Sequence, residues 1–288
     1  MQDSQDLIRR LNRRGEPLSK SHRRIAEFIA HHYDKSVFMT ASALGAQCGV
    51  SESTVVRFAA ALGYEGYPQL QDTLRNLVRQ RLTSEQRFAI AAEIKENDVL
   101  RTVLKNDAHN IRQTVEDLPQ QNFDDAVSRI LAARRVYVMG LRSAAPLAQF
   151  LYHYLHQILD LVFLVQNTIG DVVEEIARIG EGDLLIGLSF PRYSARTLEC
   201  MRFAQARSAE VIGITDGKLS PLYEAAHICL CAHTDMASFV DSLAAPLSVI
   251  NALIVSVGLK RREELSGHFN RLEEIWNDQH VYIGKEPT

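Results

Sequence analysis

The sequence predicts an all-α N-terminal domain built on a helix-turn-helix, followed by an α/β C-terminal domain with a five-stranded, parallel, doubly wound sheet. Three observations predict it. From Thr40 to Leu62, TASALGAQCGVSESTVVRFAAAL, two apolar stripes at helical spacing flank a Gly-Val-Ser turn. From residue 135 onward the period changes, and five short apolar runs alternate with helical stretches. Charge divides along the same line: residues 1–82 hold 12 Lys and Arg against 8 Asp and Glu, a net of +4, whereas the remainder holds 20 against 27, a net of −7. A basic front on an acidic body suits a nucleic-acid-binding module attached to something else. At 288 residues the chain is long enough for two cores.

Composition narrows the class further. The hydrophobic fraction of 46% and charged fraction of 23% are those of a globular protein, not of a disordered one. The start, MQDSQDLIRRLNRR, is polar and lacks the apolar segment of a secretory leader. The longest apolar run, 246–259, is short for a membrane span and contains Ser248, Asn251 and Ser256. A cytoplasmic protein without a membrane partner is expected. Cys48, Cys200, Cys229 and Cys231 fall mostly in apolar periodic segments, and Cys229 and Cys231 lack further ligands for zinc. Buried free thiols are expected, with no metal and no cofactor.

Taken in order, Leu7, Ile8 and Leu11 mark a short amphipathic helix whose outer side carries Arg9, Arg10, Arg13 and Arg14, either for phosphates or for solvent. A helix opening at Ser19 or Ser21 runs to about residue 33, with Ile25, Phe28, Ile29 and His32 inward, and supports the pair that follows. In that pair Ala41, Leu44, Gly45 and Cys48 line the first helix, and Gly49 ends it. Ser51 caps the second, whose inner face is Val55, Phe58, Ala59 and Leu62. The opposite face carries Ser53, Arg57 and Ala60, flanked by Thr54 and Val56. Such a small, polar, singly charged face fits a DNA major groove, although an ordinary helical hairpin has the same pattern. Tyr67, Leu70, Leu74, Leu77 and Val78 predict a further helix with Arg75 and Arg79 outside and Tyr64 and Tyr67 in the core. The domains are read as 1–82, a partly helical connector 83–106, and 107–288.

In the C-terminal part, Val99 to Leu118 form one long helix ending before Pro119, and DDAVSRILAAR adds another. The strands are 135–139, 161–165, 183–189, 209–215 and 226–231, with helices at 145–159, 172–179, 195–207 and 221–225 between them. Runs apolar throughout suit parallel strands buried on both faces. A helix from 241 to about 262 finishes the layer, and a last one near 264–278 packs on a partner or on the core. Ligands of such sheets bind beyond the carboxyl ends of the strands. Two loops there are polar. MGLRSAAPLA places Gly140, Arg142 and Ser143 after the first strand; LSFPRYSARTLE places Ser189, Arg192, Tyr193, Ser194 and Thr197 after the third. Hydroxyls, free amides and arginines at such turns hold anions, though turn and cap chemistry alone also uses serine.

The run from Ser21 to Leu82, with GVSESTVVRFAAALGYEGYPQLQ at its centre, resembles the N-terminal helix-turn-helix domain of the RpiR family of bacterial transcription regulators. The resemblance implies that the helix from Ser51 is a recognition helix. Thr40, Ser51, Ser53, Thr54 and Arg57 are then the expected contacts to double-stranded operator DNA. Residues 130–257 resemble the SIS (sugar isomerase) domain that such regulators carry. In that domain the first loop is Gly-x-Gly-x-Ser or a close variant and the second Ser-x-Ser-Gly-x-Thr-x-x-Thr, and both hold a phosphosugar.

Ser143, Ser189, Ser194 and Thr197 fall on the hydroxyl positions of those loops. Pro191 and Arg192 stand where Ser-Gly is expected, and Arg142 stands at the second Gly of the first loop. The ligand-binding set is therefore Gly140, Arg142, Ser143, Ser189, Arg192, Ser194 and Thr197. It implies a small anionic effector, either a phosphosugar or a carboxylate-type anion gripped by the arginines, unless these point into solvent or pair with Asp171 or Glu174. The resemblance implies a regulator that acts as a homodimer or homotetramer. The alternatives are a SIS-type phosphosugar isomerase or lyase, or a DNA-binding assembly protein without ligand. Candidate bases for catalysis are His153, His156, Glu174, Glu175, His227 and His233, of which His153 and His156 read as packed core histidines. No catalytic residue is assigned.

Overall fold

The structure is a computed structural model that describes residues 19–32, 36, 39–71, 73–74, 83–91, 94, 96–166, 170–237 and 239–283. The chain divides into two compact units, one ending at Glu96 and including residues around Phe239, the other formed by the rest from Asn97 on. Residues 4–14, Arg75, Arg79, Leu77 and Val78 lie outside the described residues.

In the first unit, α1 (Lys20–His31) opens at Ser19, whose hydroxyl accepts from the His22 amide at 3.2 Å. It buries Ile25, Ala26, Ile29 and Ala30 against α2 (Ala41–Cys48) and α3 (Glu52–Ala61). From these last two come Leu44, Cys48, Val55, Phe58 and Ala59, so the expected stripes form the observed core except at their ends, Ala41 and Leu62, which are half-buried. Tyr67 is also buried, and its hydroxyl donates to the Met39 carbonyl at 2.8 Å. His32 differs from expectation. It is the C-cap residue, where the chain leaves helical geometry, and its ring is exposed instead of continuing the inward stripe. Residues 84–91 form α4 (Ser84–Ala91).

The second unit begins with α5 (Val99–Asp117) and α6 (Gln120–Ala132), separated by Pro119, which has no amide to continue a helix. The sheet follows: β1 (Arg135–Gly140), β2 (Val162–Val165), β3 (Asp183–Leu188), β4 (Glu210–Thr215) and β5 (Ile228–Cys231). Their order is β2-β1-β3-β4-β5, parallel throughout. Between them lie α7 (Ala145–Ile158), α8 (Val172–Glu175), α9 (Ala195–Ala206) and α10 (Pro221–Glu224). Then come α11 (Ala244–Lys260) and α12 (Arg262–Asp278).

β1, β3, β4 and β5 are covered on both sides, as their apolar runs require, whereas on the edge strand β2 Phe163 is exposed. Val136, Val138, Leu184, Ile186 and Ile212 face the layer of α6, α7 and α11, while Tyr137, Met139, Leu185 and Val211 face α8 to α10. The helix expected over 172–179 stops at Glu175. Turns carry Ile176 and Ile179 into the core instead, because apolar residues three and four apart are buried by a tight turn as well as by a helix. His153 and His156, read as core, lie exposed on the outer side of α7, with Leu151, Leu155 and Ile158 buried. An amphipathic helix permits either face to hold histidine, and here the leucines took the core. Among the described residues no single helix is long and apolar enough to cross a membrane.

At the amino ends of β1 and β3, the carboxylate of Asp183 is fully buried. It accepts from Arg134 Nε at 3.1 Å, from Arg135 Nε at 3.0 Å and Nη2 at 2.7 Å, and from the Gly180 amide at 3.0 Å. Burial alone would raise its pKa, but the hydrogen bonds from Arg135, Arg134 and Gly180 outweigh it and leave the group below its ordinary value. A carboxylate with a lowered folded pKa contributes stability above its unfolded pKa and loses it as pH falls through the folded one. Asp183→Asn should therefore cost about 3 kcal/mol near neutral pH, since it leaves two guanidinium groups facing a neutral amide. Chemical denaturation of the variant and the wild type should converge at pH values below the ordinary carboxylate range; a constant gap across pH would contradict the charged role.

Candidate functional site

The strand order fixes where a ligand would sit. The connections leave β1 and β3 in opposite directions, so a crevice opens between the loops that follow them. Gly140, last in β1, is paired with Leu188, last in β3, and both polar loops start from that pair. A Cβ on Gly140 would lie 2.7 Å from the Ala144 carbonyl oxygen and 2.9 Å from the Ala148 Cβ. Only glycine lets the start of α7 come this close to the strand end.

Arg142 opens a 3-10 turn, Arg142–Ala144, in the left-handed region at φ 57°, and Arg192 stands in the second loop at φ 63°. These are the two positions at which the resemblance called for glycine. The backbone turns are thus kept, and each carries a long cationic side chain at a strain of about 1–2 kcal/mol. Both arginines and Ser143 are exposed.

In the second loop the hydroxyls are linked in series. The Ser189 hydroxyl accepts from the Ser194 amide at 2.9 Å, and the Ser194 hydroxyl caps α9 by accepting from the Thr197 amide at 3.2 Å. Thr215, at the end of β4, donates to the Ser189 carbonyl at 2.8 Å, and the Tyr193 hydroxyl donates to Asp216 at 2.8 Å. Thr197 is wholly buried, and its hydroxyl oxygen has no hydrogen-bond partner among the described residues.

A cleft of about 300 Å³ lies between the first loop, the chain after β2 and the first turn of α9, lined by Leu141, Gly170, Asp171, Val172 and Arg196; none of the seven residues expected to bind the ligand lines it. Arg196 was not singled out in the sequence, because it occupies an unspecified position of the second-loop pattern. It sits in the first turn of α9 and pairs with Asp171 at 2.9 Å. The Asp171 carboxylate also caps α8, accepting from the Val173 amide at 3.1 Å. The cation that meets Asp171 is therefore Arg196 and not Arg142 or Arg192.

The acid–base candidates do not converge. His153 contacts Gln157 at 3.0 Å, His156 stacks on Tyr152, and His233 meets Asp117 at 2.8 Å. The His227 ring accepts from the Val211 amide at 3.0 Å near the amino ends of β4 and β5, the opposite end of the sheet. Burial, and then Arg129, lower its pKa. Glu175 accepts from the Gln166 amide at 3.0 Å. Glu174 comes nearest, with its carboxylate over Gly170. The Cys200 thiol beneath the second loop is pushed up to about 11, mainly by burial, and so stays protonated.

On the first unit, Gly49 ends α2 at φ 63° and Gly45 lets the turn close: a Cβ there would lie 2.8 Å from the Val50 carbonyl oxygen. The Thr40 hydroxyl caps α2 through the Ala43 amide at 3.2 Å. Ser51 occupies the N-cap position of α3, but its hydroxyl makes no cap bond. It lies 2.9 Å from the hydroxyls of both Ser53 and Thr54. Arg57 reaches back to the Ser53 carbonyl at 3.3 Å, so Ser51, Ser53, Thr54 and Arg57 form one polar patch along the start of α3. Ser51, Ser53, Arg57 and Ala60 are exposed, opposite the buried stripe.

A helix-turn-helix module in front of a SIS-type α/β domain defines a class, the one-chain DNA-binding regulator. Residues 5–81 match the helix-turn-helix domain of the rpiR family, and residues 129–256 match the SIS domain. The chain belongs to the RpiR family and is a transcriptional regulator with both domains. It is 27% identical over 281 residues to the HTH-type transcriptional regulator HexR of Pseudomonas aeruginosa, covering 93% of this chain and 95% of that one. Among solved structures, NanR of Vibrio vulnificus in complex with ManNAc-6P shares the fold with a TM-score of 0.59 at 20% identity, over 96% of this chain and all of that one. The sugar isomerase domain of an RpiR transcription factor from Sphaerobacter thermophilus gives the same TM-score at 24% identity, over 62% of this chain and 99% of that one.

The left-handed arginines make a direct prediction. Arg142→Gly and Arg192→Gly should each raise the unfolding free energy by about 0.5–1 kcal/mol, because strain is released against a smaller entropic cost. Arg142→Ala and Arg192→Ala keep the Cβ and should not. Urea denaturation of the four variants separates the cases, and equal effects of Gly and Ala would show the turns to be unstrained.

Proposed function

We propose that the C-terminal domain senses a small anionic metabolite in the crevice between the β1 and β3 loops, and that occupancy changes operator binding by the N-terminal domain. The observation that carries this reading is the pair of cationic left-handed turns, Arg142 and Arg192, opening from the paired residues Gly140 and Leu188. Ser143 presents an exposed hydroxyl on the first loop, and the Ser189 and Ser194 hydroxyls shape the second by accepting the Ser194 and Thr197 amides.

The effector is a phosphosugar or a carboxylate-type anion. ManNAc-6P on NanR supports the first; guanidinium groups in place of close glycine backbone support the second. Pro191 takes one amide and one hydroxyl out of the cradle. An effector acts only through unequal affinity for the arrangements of the chain that do and do not bind DNA. The acid–base candidates lie apart, so no observation favours an isomerase or lyase. The domains are 1–82, 83–106 and 107–288, and the protein works in the cytoplasm as a dimer or tetramer on double-stranded operator DNA. Thr40, Ser51, Ser53, Thr54 and Arg57 contact that DNA.

Two measurements test this. A thermal-shift panel of phosphosugars, sugar acids and other carboxylates should yield a hit that raises the melting point by mass action, and Arg192→Ala should lose it while apo binding to DNA stays intact. A normal response in that variant would remove the loop from the account. For the DNA face, Arg57→Ala should weaken specific operator binding at least about tenfold, with oligomer and fold unchanged, and wild-type affinity should fall steeply with salt. Unchanged footprinting would refute the role of Arg57.

A further inference from the structure

The inward stripe of α1 does not begin at Ile25. It starts three residues earlier, in the first turn, at His22, which is half-buried. The imidazole meets the Phe58 ring edge-on, with centroids 5.5 Å apart and planes at 65°. Phe58 follows Arg57 in the chain, and at about 100° per residue it stands at the margin of the buried stripe of α3, next to the exposed face. His22 therefore lies at the open end of the seam between α1 and α3. Beside it is Arg57, the one cation that α3 carries.

Packing does not account for this side chain by itself. Its backbone amide is taken by Ser19, but neither ring nitrogen is bonded among the described residues, so a positioned ring is left with its polar atoms uncommitted. The charges around it are few. α2 carries no charged side chain and brings only the buried Cys48 thiol, which burial pushes up. α3 carries Glu52 and Arg57, and on α1 itself Lys20, Arg23, Arg24, Glu27 and His31 are exposed. Burial, and then Arg57, lower the pKa of His22, so in the free protein the ring is mostly neutral near pH 7. A polyanion at Arg57 offsets that repulsion and brings an acceptor to the seam.

We propose that His22 is itself a DNA contact: as an imidazolium it donates a ring N–H to a backbone phosphate beside the groove that Arg57 enters, and operator binding takes up a proton there. The contact fixes how the unit sits on the duplex and carries no sequence information, because its partner is the backbone. The sign of the pH dependence follows. The complex holds more proton at His22 than the free protein does, so affinity rises as pH falls and is lost as pH climbs past the pKa of the ring in the complex. The inference rests on the reading of Arg57 as a DNA contact and is independent of the effector.

The probe is a duplex that the full-length wild-type protein selects from a random pool. On going from about pH 7.5 to about pH 6 at constant salt, wild-type affinity for it should rise about fivefold, whereas that of His22→Gln should change less than about twofold, because glutamine donates but does not titrate. Near about pH 8, where the ring is neutral, the two proteins should bind within about threefold of each other. His31 and His32, exposed at the far end of α1, remain in both proteins and cancel in the comparison. A variant that keeps the full wild-type slope would overturn the proposal, and so would wild-type affinity that stays level or falls on acidification. A second readout needs no variant. In wild-type protein with carbon-13-labelled histidine, the His22 resonance, identified by its contact with the Phe58 ring, should titrate at higher pH with the duplex bound than without it; an unchanged or lower midpoint would overturn the contact. These outcomes are separable from that of Arg57→Ala, whose unchanged footprint would strike the reading of Arg57 itself.

Discussion

The pinch at Gly140 is the constraint on which the rest of the C-terminal domain turns. Because that residue has no side chain, Ala144 and Ala148 of the succeeding turn and helix come within van der Waals distance of the strand end. The first loop is then forced to reverse within three residues, and Arg142 accepts a left-handed conformation to do so. β1 is central, paired with β2 on one side and β3 on the other. The same strand is held at its opposite end by the Arg134, Arg135 and Asp183 cluster, which ties it to β3. Fixed at both ends, β1 and β3 hold the two polar loops in register, and an anion between them would meet a site already assembled. Preorganisation of this kind lowers the ordering cost of binding.

β1, β3, β4 and β5 were legible because they are buried on both faces, and the edge strand β2 because its run is apolar although Phe163 is exposed. RVYVM, LVFLV, DLLIGLS, AEVIGIT and AHICLC are apolar nearly throughout, and observed ends differ from the predicted ones by only a residue or two. Helix faces were legible where the stripe was unambiguous, as with Val55, Phe58 and Ala59. They were not where two faces competed. On α7 the histidines and tyrosines share a helix with four leucines and isoleucines, and periodicity alone does not say which side goes in. The expected cap at Ser51 failed for a different reason. With Ser53 and Thr54 within reach, its hydroxyl found side-chain partners instead of an amide, a competition that depends on rotamers.

The site was legible as a set of loops but not as a network. Spacing placed Ser189, Ser194 and Thr197 after the third strand, yet nothing in the spacing says that the Ser194 amide is held by Ser189, or that Thr215 of the next strand holds the Ser189 carbonyl. Arg196 shows the same limit. It reaches the cleft because α9 begins at Ser194, which aims the first turn of that helix at Asp171 on another loop, 25 residues earlier in the chain. Contacts of that separation are made by topology, and topology was inferred only coarsely from alternation.

Arg142 and Arg192 deserve a physical explanation as a pair. Glycine at a left-handed turn costs entropy in the unfolded chain but nothing in the folded one; arginine there costs strain in every folded molecule. Both positions bear that cost in neighbouring loops, while Ser208 and His280, the other non-glycine residues at positive φ among those described, lie at the ends of helices. A charge merely needed on the surface could be carried by a residue in relaxed geometry one step away. Holding it at the apex of the turn brings it to the strand end itself, beside the helix amides that favour negative charge. The strain is therefore better understood as a feature of the proposed anion site than of the fold, for glycine at either place would relax the turn.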